Sequence, residues 1–128
     1  MRLGALEAGG TKMVCSIGDE AGHVFSRVSY PTLTPAETMP HLISFFQNEG
    51  IEALGVASFG PVDLHEGSKT YGYITSTPKP GWMDYPFLPE LRAALNTLAP
   101  LDRALILERV LDGLDYAALA RIHGRPAA

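Results

Sequence analysis

The sequence holds one cysteine, one tryptophan and four histidines in 128 residues, and it has no long apolar run. With Cys15 alone, no disulfide can close within the chain, which fits a reducing compartment. No stretch approaches the roughly 18 apolar residues of a membrane span. Met1-Arg2-Leu3-Gly4 does not lead into an apolar core with a small-residue cleavage site, so the expected location is cytoplasmic, with no membrane association. His23, His41, His65 and His123 stand at no metal-ligand spacing relative to Cys15, and read as surface or loop residues. Cys15 itself falls in an apolar segment where an inert thiol is expected. A formal net charge of −4 argues against broad electrostatic binding to nucleic acid. The length allows one domain, or one domain with a small appendage, and is too short for two full lobes around a cleft.

What is present changes in texture along the chain. Residues 1–90 carry five bases (Arg2, Lys12, Arg27, Lys69, Lys79) against ten acids, while residues 91–128 carry five arginines against four acids. Eleven of the 13 glycines lie in the first part, and the second is rich in Ala and Leu. This break fits either two sequence origins or a β-rich part followed by a helical one.

Leu3–Glu7 reads as a buried strand running into Gly9-Gly10, Met13–Ile17 as its neighbour, and Val24–Tyr30 as a third strand of an antiparallel meander. Thr34-Pro35-Ala36-Glu37 has the chemistry of a helix start: Thr34 as N-cap, Pro35 at the first helical position and Glu37 completing a capping box. Met39, Leu42, Ile43, Phe45 and Phe46 supply its apolar face, and Pro40 is expected in its first turn. Ala53–Phe59 is a further buried strand closed by Gly60-Pro61. From Asp63 to Pro89 the chain is loop-like, with one more strand expected over Lys69–Ser76. Helices are expected at Leu91–Leu98, from Pro100 through Leu101, Leu105, Val110 and Leu111, and at Asp115–Ile122. The order of elements is that of an α/β fold.

Glu7-Ala8-Gly9-Gly10-Thr11-Lys12 joins the first two strands. Paired glycines let a backbone approach an oxyanion, Thr11 adds a hydroxyl, Lys12 a cation, and Glu7 a carboxylate able to orient hydrated Mg²⁺. The same six residues also fit a glycine-rich hairpin with an exposed lysine. Asp63 and Glu66 fit either a polar cleft or solvated loop acids, with the second reading favoured.

Three segments in order, Leu6–Lys12, Ser58-Phe59-Gly60-Pro61-Val62-Asp63 and Gly67–Trp82, resemble the fructokinase branch of the ROK sugar kinases. The resemblance covers residues 1 to about 96. It implies an incomplete N-terminal lobe of the actin-like ATPase (ribonuclease H-like) fold, with a helical C-terminal tail. It implies ATP with Mg²⁺ as cofactor, held through Glu7, Gly9, Gly10, Thr11 and Lys12, and a sugar beside Gly60, Pro61, Thr77, Pro78 and Lys79. Trp82 is expected to pack structurally. The resemblance also calls for a strand after the helix near Leu98, then an Asp-Val-Asn-like segment whose Asp is the general base. Leu101-Asp102-Arg103 does not match it, and no catalytic residue is assigned. The family's second phosphate loop, adenosine segment and zinc cluster find no counterpart. Transfer between two lobes is not expected of this chain alone.

The tail, Leu98–Leu107 and Leu114–Gly124, resembles the C-terminal helix-turn-helix region of bacterial sigma factors. It stops where the recognition helix would begin, so sequence-specific DNA binding is not expected. These readings divide the chain into a kinase-like part, 1–96, and a helical tail, 97–128. They leave three functions open: an inactive fructokinase-like lobe that binds sugar and nucleotide, a non-enzymatic module docking on a partner or a missing kinase lobe, or a fusion without evolved function. An unpaired sheet edge would favour self-association.

Overall fold

The computed structural model describes residues 1–47 and 49–95, together with the backbone of 104–107. A five-stranded mixed sheet is ordered β3-β2-β1-β4-β5. Its strands are β1 Leu3–Ala8, β2 Lys12–Gly18, β3 Val24–Pro31, β4 Ala53–Ser58 and β5 Ala104–Leu107. The meander β1-β2-β3 is antiparallel; β4 joins the other side of β1 in parallel, and β5 joins β4 in parallel.

Residue type explains the positions. β1 is flanked on both sides and reads as a nearly continuous apolar run, Leu-Gly-Ala-Leu-Glu-Ala, as buried central strands do. β3 alternates between exposed and half-buried residues, the pattern of an edge. The β2–β3 turn is closed by Asp19, whose carboxylate accepts the Ala21 and His23 N–H groups at 3.0 Å each.

Helix α1, Pro35–Gln47, starts where the capping residues place it. The Glu37 carboxylate accepts the Thr34 hydroxyl at 2.8 Å and its N–H at 3.4 Å. The box is therefore one-sided, because the hydroxyl donates to the carboxylate while the Glu37 N–H bonds the Thr34 carbonyl at 3.0 Å. Pro40 is the sixth helical residue, in the second turn rather than the first, and it is exposed. Helix α2, Phe87–Leu95, begins four residues before the expected Leu91. Pro86 precedes its first residue and Pro89 sits in its first turn, where a missing N–H costs nothing. Residues 96–98 lie outside the described residues.

Both helices cover one face of the sheet. Leu6 and Ala8 of β1, Met13, Cys15 and Ile17 of β2, and Leu54 and Val56 of β4 pack there with Met39, Leu42 and Phe46 of α1 and Leu91 and Leu95 of α2. Trp82 closes one end of this core, fully buried, its indole N–H donating to the Leu33 carbonyl at 2.7 Å. Its ring meets Phe59, Tyr85 and Phe87 edge to face at 5.2–5.8 Å. Trp82 thus packs as expected.

Two expectations are corrected. Lys69–Ser76 is not a strand: Ile74 alone bridges Val62 and Tyr85, and turns occupy the residues before it. Asp63 holds those turns, accepting from Ser68 Oγ and Thr70 Oγ1 at 2.6 Å each and from the His65 N–H at 3.0 Å. The helix expected from Pro100 is a strand at Ala104–Leu107. Four apolar residues are too few for periodicity to separate helix from strand, and the open edge of β4 decides it. A strand after α2, which the family resemblance calls for, is therefore present, and it pairs with β4 in parallel. Asp115–Ile122 and the rest of the tail lie outside the described residues. Among the described residues, no helix is long and apolar enough to cross a membrane.

Candidate functional site

Two loops leave the same edge of the sheet because β1 and β4 run parallel and in register. Ala8 is the Cα partner of Ser58, and the Phe59 N–H extends the ladder to the Ala8 carbonyl at 2.8 Å. The Gly9–Thr11 turn and the cis Gly60–Pro61 bond thus emerge side by side at the carboxyl ends of parallel strands. That edge is where open α/β sheets receive ligands.

The first loop is tight and open at once. The Gly9 N–H donates to the Lys12 carbonyl at 3.0 Å, and a Cβ on Gly9 would meet that oxygen at 2.8 Å. A Cβ on Gly10 would meet nothing within 4 Å. Gly10, Thr11 and Lys12 are exposed. Among the described residues, the Gly10 and Thr11 N–H groups have no hydrogen-bond partner and Lys12 has no ion pair. Two backbone donors and an ammonium group face solvent on a loop with free approach, which is the donor set an anion needs.

Glu7 is half-buried and alternates with Leu6 and Ala8, which places it on the sheet face away from the helices. Its register partners are Val14 and Ala57. No group of three His, Cys, Asp or Glu that could hold a metal occurs among the described residues.

The second loop carries the remaining predicted residues. The Pro61 carbonyl accepts the Thr75 N–H at 2.9 Å and its hydroxyl at 3.3 Å, which ties the Thr77–Lys79 stretch to the sheet edge. Thr77 Oγ1 accepts the Lys79 N–H at 3.2 Å, Lys79 is half-buried, and its carbonyl accepts the Trp82 N–H at 3.1 Å. Pro78 is exposed. The predicted residues therefore form two groups on one edge, Gly9–Lys12 and Gly60–Pro61 with Thr77–Lys79. No polar contact joins Lys79 to Lys12 among the described residues.

Thr32 was not singled out by the sequence. It is 4 % exposed, its hydroxyl donates to the Gly9 carbonyl at 2.7 Å, and its N–H donates to the Thr11 carbonyl at 2.9 Å. Its only sequence signal is its place directly after Pro31, at the end of a strand. A separate groove of about 650 Å³ lies between α1 and the Trp82 loop, lined by Pro35, Met39, Pro40, Ile43 and Tyr85 among others. It holds none of the predicted residues and little polar chemistry.

A model of the ROK family matches residues 3–103. A fructokinase of Pediococcus pentosaceus is 50 % identical over 96 residues, which is 75 % of this chain and 33 % of that protein. Among solved structures, the Lmo2764 protein from Listeria monocytogenes superposes with a TM-score of 0.63 at 18 % identity, over 83 % of this chain and 34 % of that one. A ROK family glucokinase from Streptomyces griseus, solved with glucose and AMPPNP, gives 0.54 at 19 % identity, over 83 % and 32 %. The chain spans about a third of the length of the curated relatives it matches.

Proposed function

The chain belongs to the ROK family, and from that premise we propose that it is the nucleotide-phosphate and sugar-side portion of a fructokinase-like sugar kinase. The observation that carries this reading is the Ala8–Ser58 register, which brings the glycine loop and Gly60–Pro61 to one edge. Gly9, Gly10, Thr11 and Lys12 would hold the phosphate tail of ATP. The residues fit that group: the loop exposes two unpaired N–H donors and Lys12, and the Gly10 position leaves open space where a side chain would stand. Mg-ATP, when bound, would supply the phosphoryl group, with the metal ion neutralising its charge. Glu7, near the end of β1, would offer its carboxylate to the hydrated magnesium ion.

Gly60 and Pro61 would shape the near wall of the sugar cleft, with Thr77, Pro78 and Lys79 beside it. Two of their side chains suit a polyhydroxylated hexose: the Thr77 hydroxyl and the half-buried Lys79. The Asp-Val-Asn-like general-base segment of the family has no match in this sequence. The expected behaviour is binding without appreciable turnover.

Calorimetric titration of Mg-ATP into the wild type and Gly10→Val tests this. A Cβ at position 10 meets no atom within 4 Å, so the substitution is expected to spare the fold while it obstructs an incoming phosphate. Binding should weaken about tenfold, equivalent to ~1.4 kcal/mol. Equal affinity in both proteins, or no binding in either, would overturn the reading. In a coupled assay with fructose, ADP release should stay at background; sustained turnover would refute the expectation of binding alone.

A further inference from the structure

We propose that Thr32 is the positioning residue of the glycine loop, fixing the direction in which its N–H donors point; this rests on the phosphate-binding reading above and deepens it. Thr32 supplies both hydrogen bonds that hold the loop from the β3 side. Its hydroxyl takes the Gly9 carbonyl at 2.7 Å, and its N–H takes the Thr11 carbonyl at 2.9 Å. These carbonyls flank Gly10, so one buried residue grips the turn on either side of its most open position.

The consequence follows from peptide geometry. The Gly9 carbonyl and the Gly10 N–H belong to one planar trans unit and point in opposite directions. Drawing the carbonyl inward to Thr32 turns the Gly10 N–H outward to solvent. Holding the Thr11 carbonyl fixes the Thr11–Lys12 plane, so the Gly10–Thr11 plane, which carries the Thr11 N–H, is bracketed by two fixed planes. The Gly9 N–H to Lys12 carbonyl bond closes the turn but leaves the Gly9 carbonyl and Gly10 N–H free to exchange sides, and an anion is bound only with the donor outward.

Thr32 is itself held. Buried Thr38 of α1 accepts the Leu33 N–H at 2.9 Å and donates to the Pro31 carbonyl at 3.3 Å, so the backbone on both sides of Thr32 is tied to the helix. Leu33 also gives its carbonyl to the Trp82 indole. The clamp is thus anchored in the core rather than on another loop.

Thr32→Val keeps the β-branched shape and removes the hydroxyl donor, whereas Thr32→Ser keeps the donor and removes a methyl group. ¹⁵N relaxation at Gly10 and Thr11 reads the loop without any ligand, and calorimetry with Mg-ATP reads binding. In Thr32→Val the order parameters of Gly10 and Thr11 should fall, and the Kd for Mg-ATP should rise about tenfold. In Thr32→Ser both should stay near wild type. Unchanged loop dynamics and Kd in the valine variant would overturn the proposal, as would equal losses in the valine and serine variants. Thr32→Ala carries the same expectation as valine where the latter does not fold. Absence of Mg-ATP binding in the wild type would refute the phosphate-binding reading, while the relaxation data would still decide the clamp.

Discussion

Cys15 shows how completely the helices seal their face of the sheet. The thiol is fully buried between Leu6 and Val28 in the ladder, and burial pushes it from its ordinary 9.0 up to about 12. A thiol raised in the folded state favours folding fully below pH 9, and that contribution is lost as pH climbs towards 12. Tyr85 behaves alike, pushed from 10.0 to about 12 by burial and then by the nearby Glu90 charge. Thermal melts should therefore show stability falling steadily between about pH 9 and 12, with Cys15→Ala flattening part of the decline and the tyrosine keeping the rest. An identical slope in the variant would refute the assignment. Asp63 lies at the opposite extreme: hydrogen bonds from Ser68, then Thr70, then the His65 N–H hold its carboxyl well below the usual carboxylate range. Its contribution is present above its ordinary 3.8 and disappears as pH falls through the native value.

Among the elements, the docking of α2 depends on a residue that contributes no side chain. Gly72 has φ +84°, a conformation that other residues rarely adopt, and a Cβ there would meet the Leu88 Cβ at 2.5 Å. The Gly72 carbonyl also accepts the Leu88 N–H at 3.0 Å, so the loop and the first turn of α2 are fastened at one point. Gly72→Ala should cost about 2 kcal/mol or more, lowering Tm by the order of 10 °C. A melt within about 2 °C of wild type would show that the loop yields instead. The elements also show what the sequence made legible. β1 to β4 and α1 were readable within a residue or two, because each is bounded by local chemistry such as Gly9-Gly10, Asp19–Gly22, Thr34-Pro35 or Gly60-Pro61. The Gly9–Lys12 turn and the Gly60–Pro61 bend were legible as chain reversals for the same reason. β5 was not, since Ala-Leu-Ile-Leu has no intrinsic preference that outweighs a free sheet edge, and Thr32 was not, since its role exists only once β3 has been brought against the Gly9 turn.

At the scale of the whole molecule, β3 forms one margin of the sheet and its outer end is apolar. Val24 is 45 % and Phe25 55 % exposed, even with the Arg2 guanidinium 5.6 Å from the Phe25 ring centre. An edge strand with exposed apolar residues and unpaired backbone groups is a template for pairing with a second chain. We expect the mass seen by light scattering to rise with protein concentration, and Phe25→Lys to suppress the rise; a constant monomer mass at all concentrations would contradict this. The position of β1 has another consequence, for the order of assembly. Its partner β2 follows directly, Ala8 facing Met13 across the turn, whereas its partner β4 lies fifty residues on, Leu3 facing Ala53. The meander can close early and locally, but the junction of β1 with β4 must wait for a long loop to be drawn in, which slows folding. The edge where Gly9 and Gly60 meet is therefore created late, so substitutions along Val24–Pro31 should slow refolding, whereas those along Ala53–Ser58 should mainly speed unfolding.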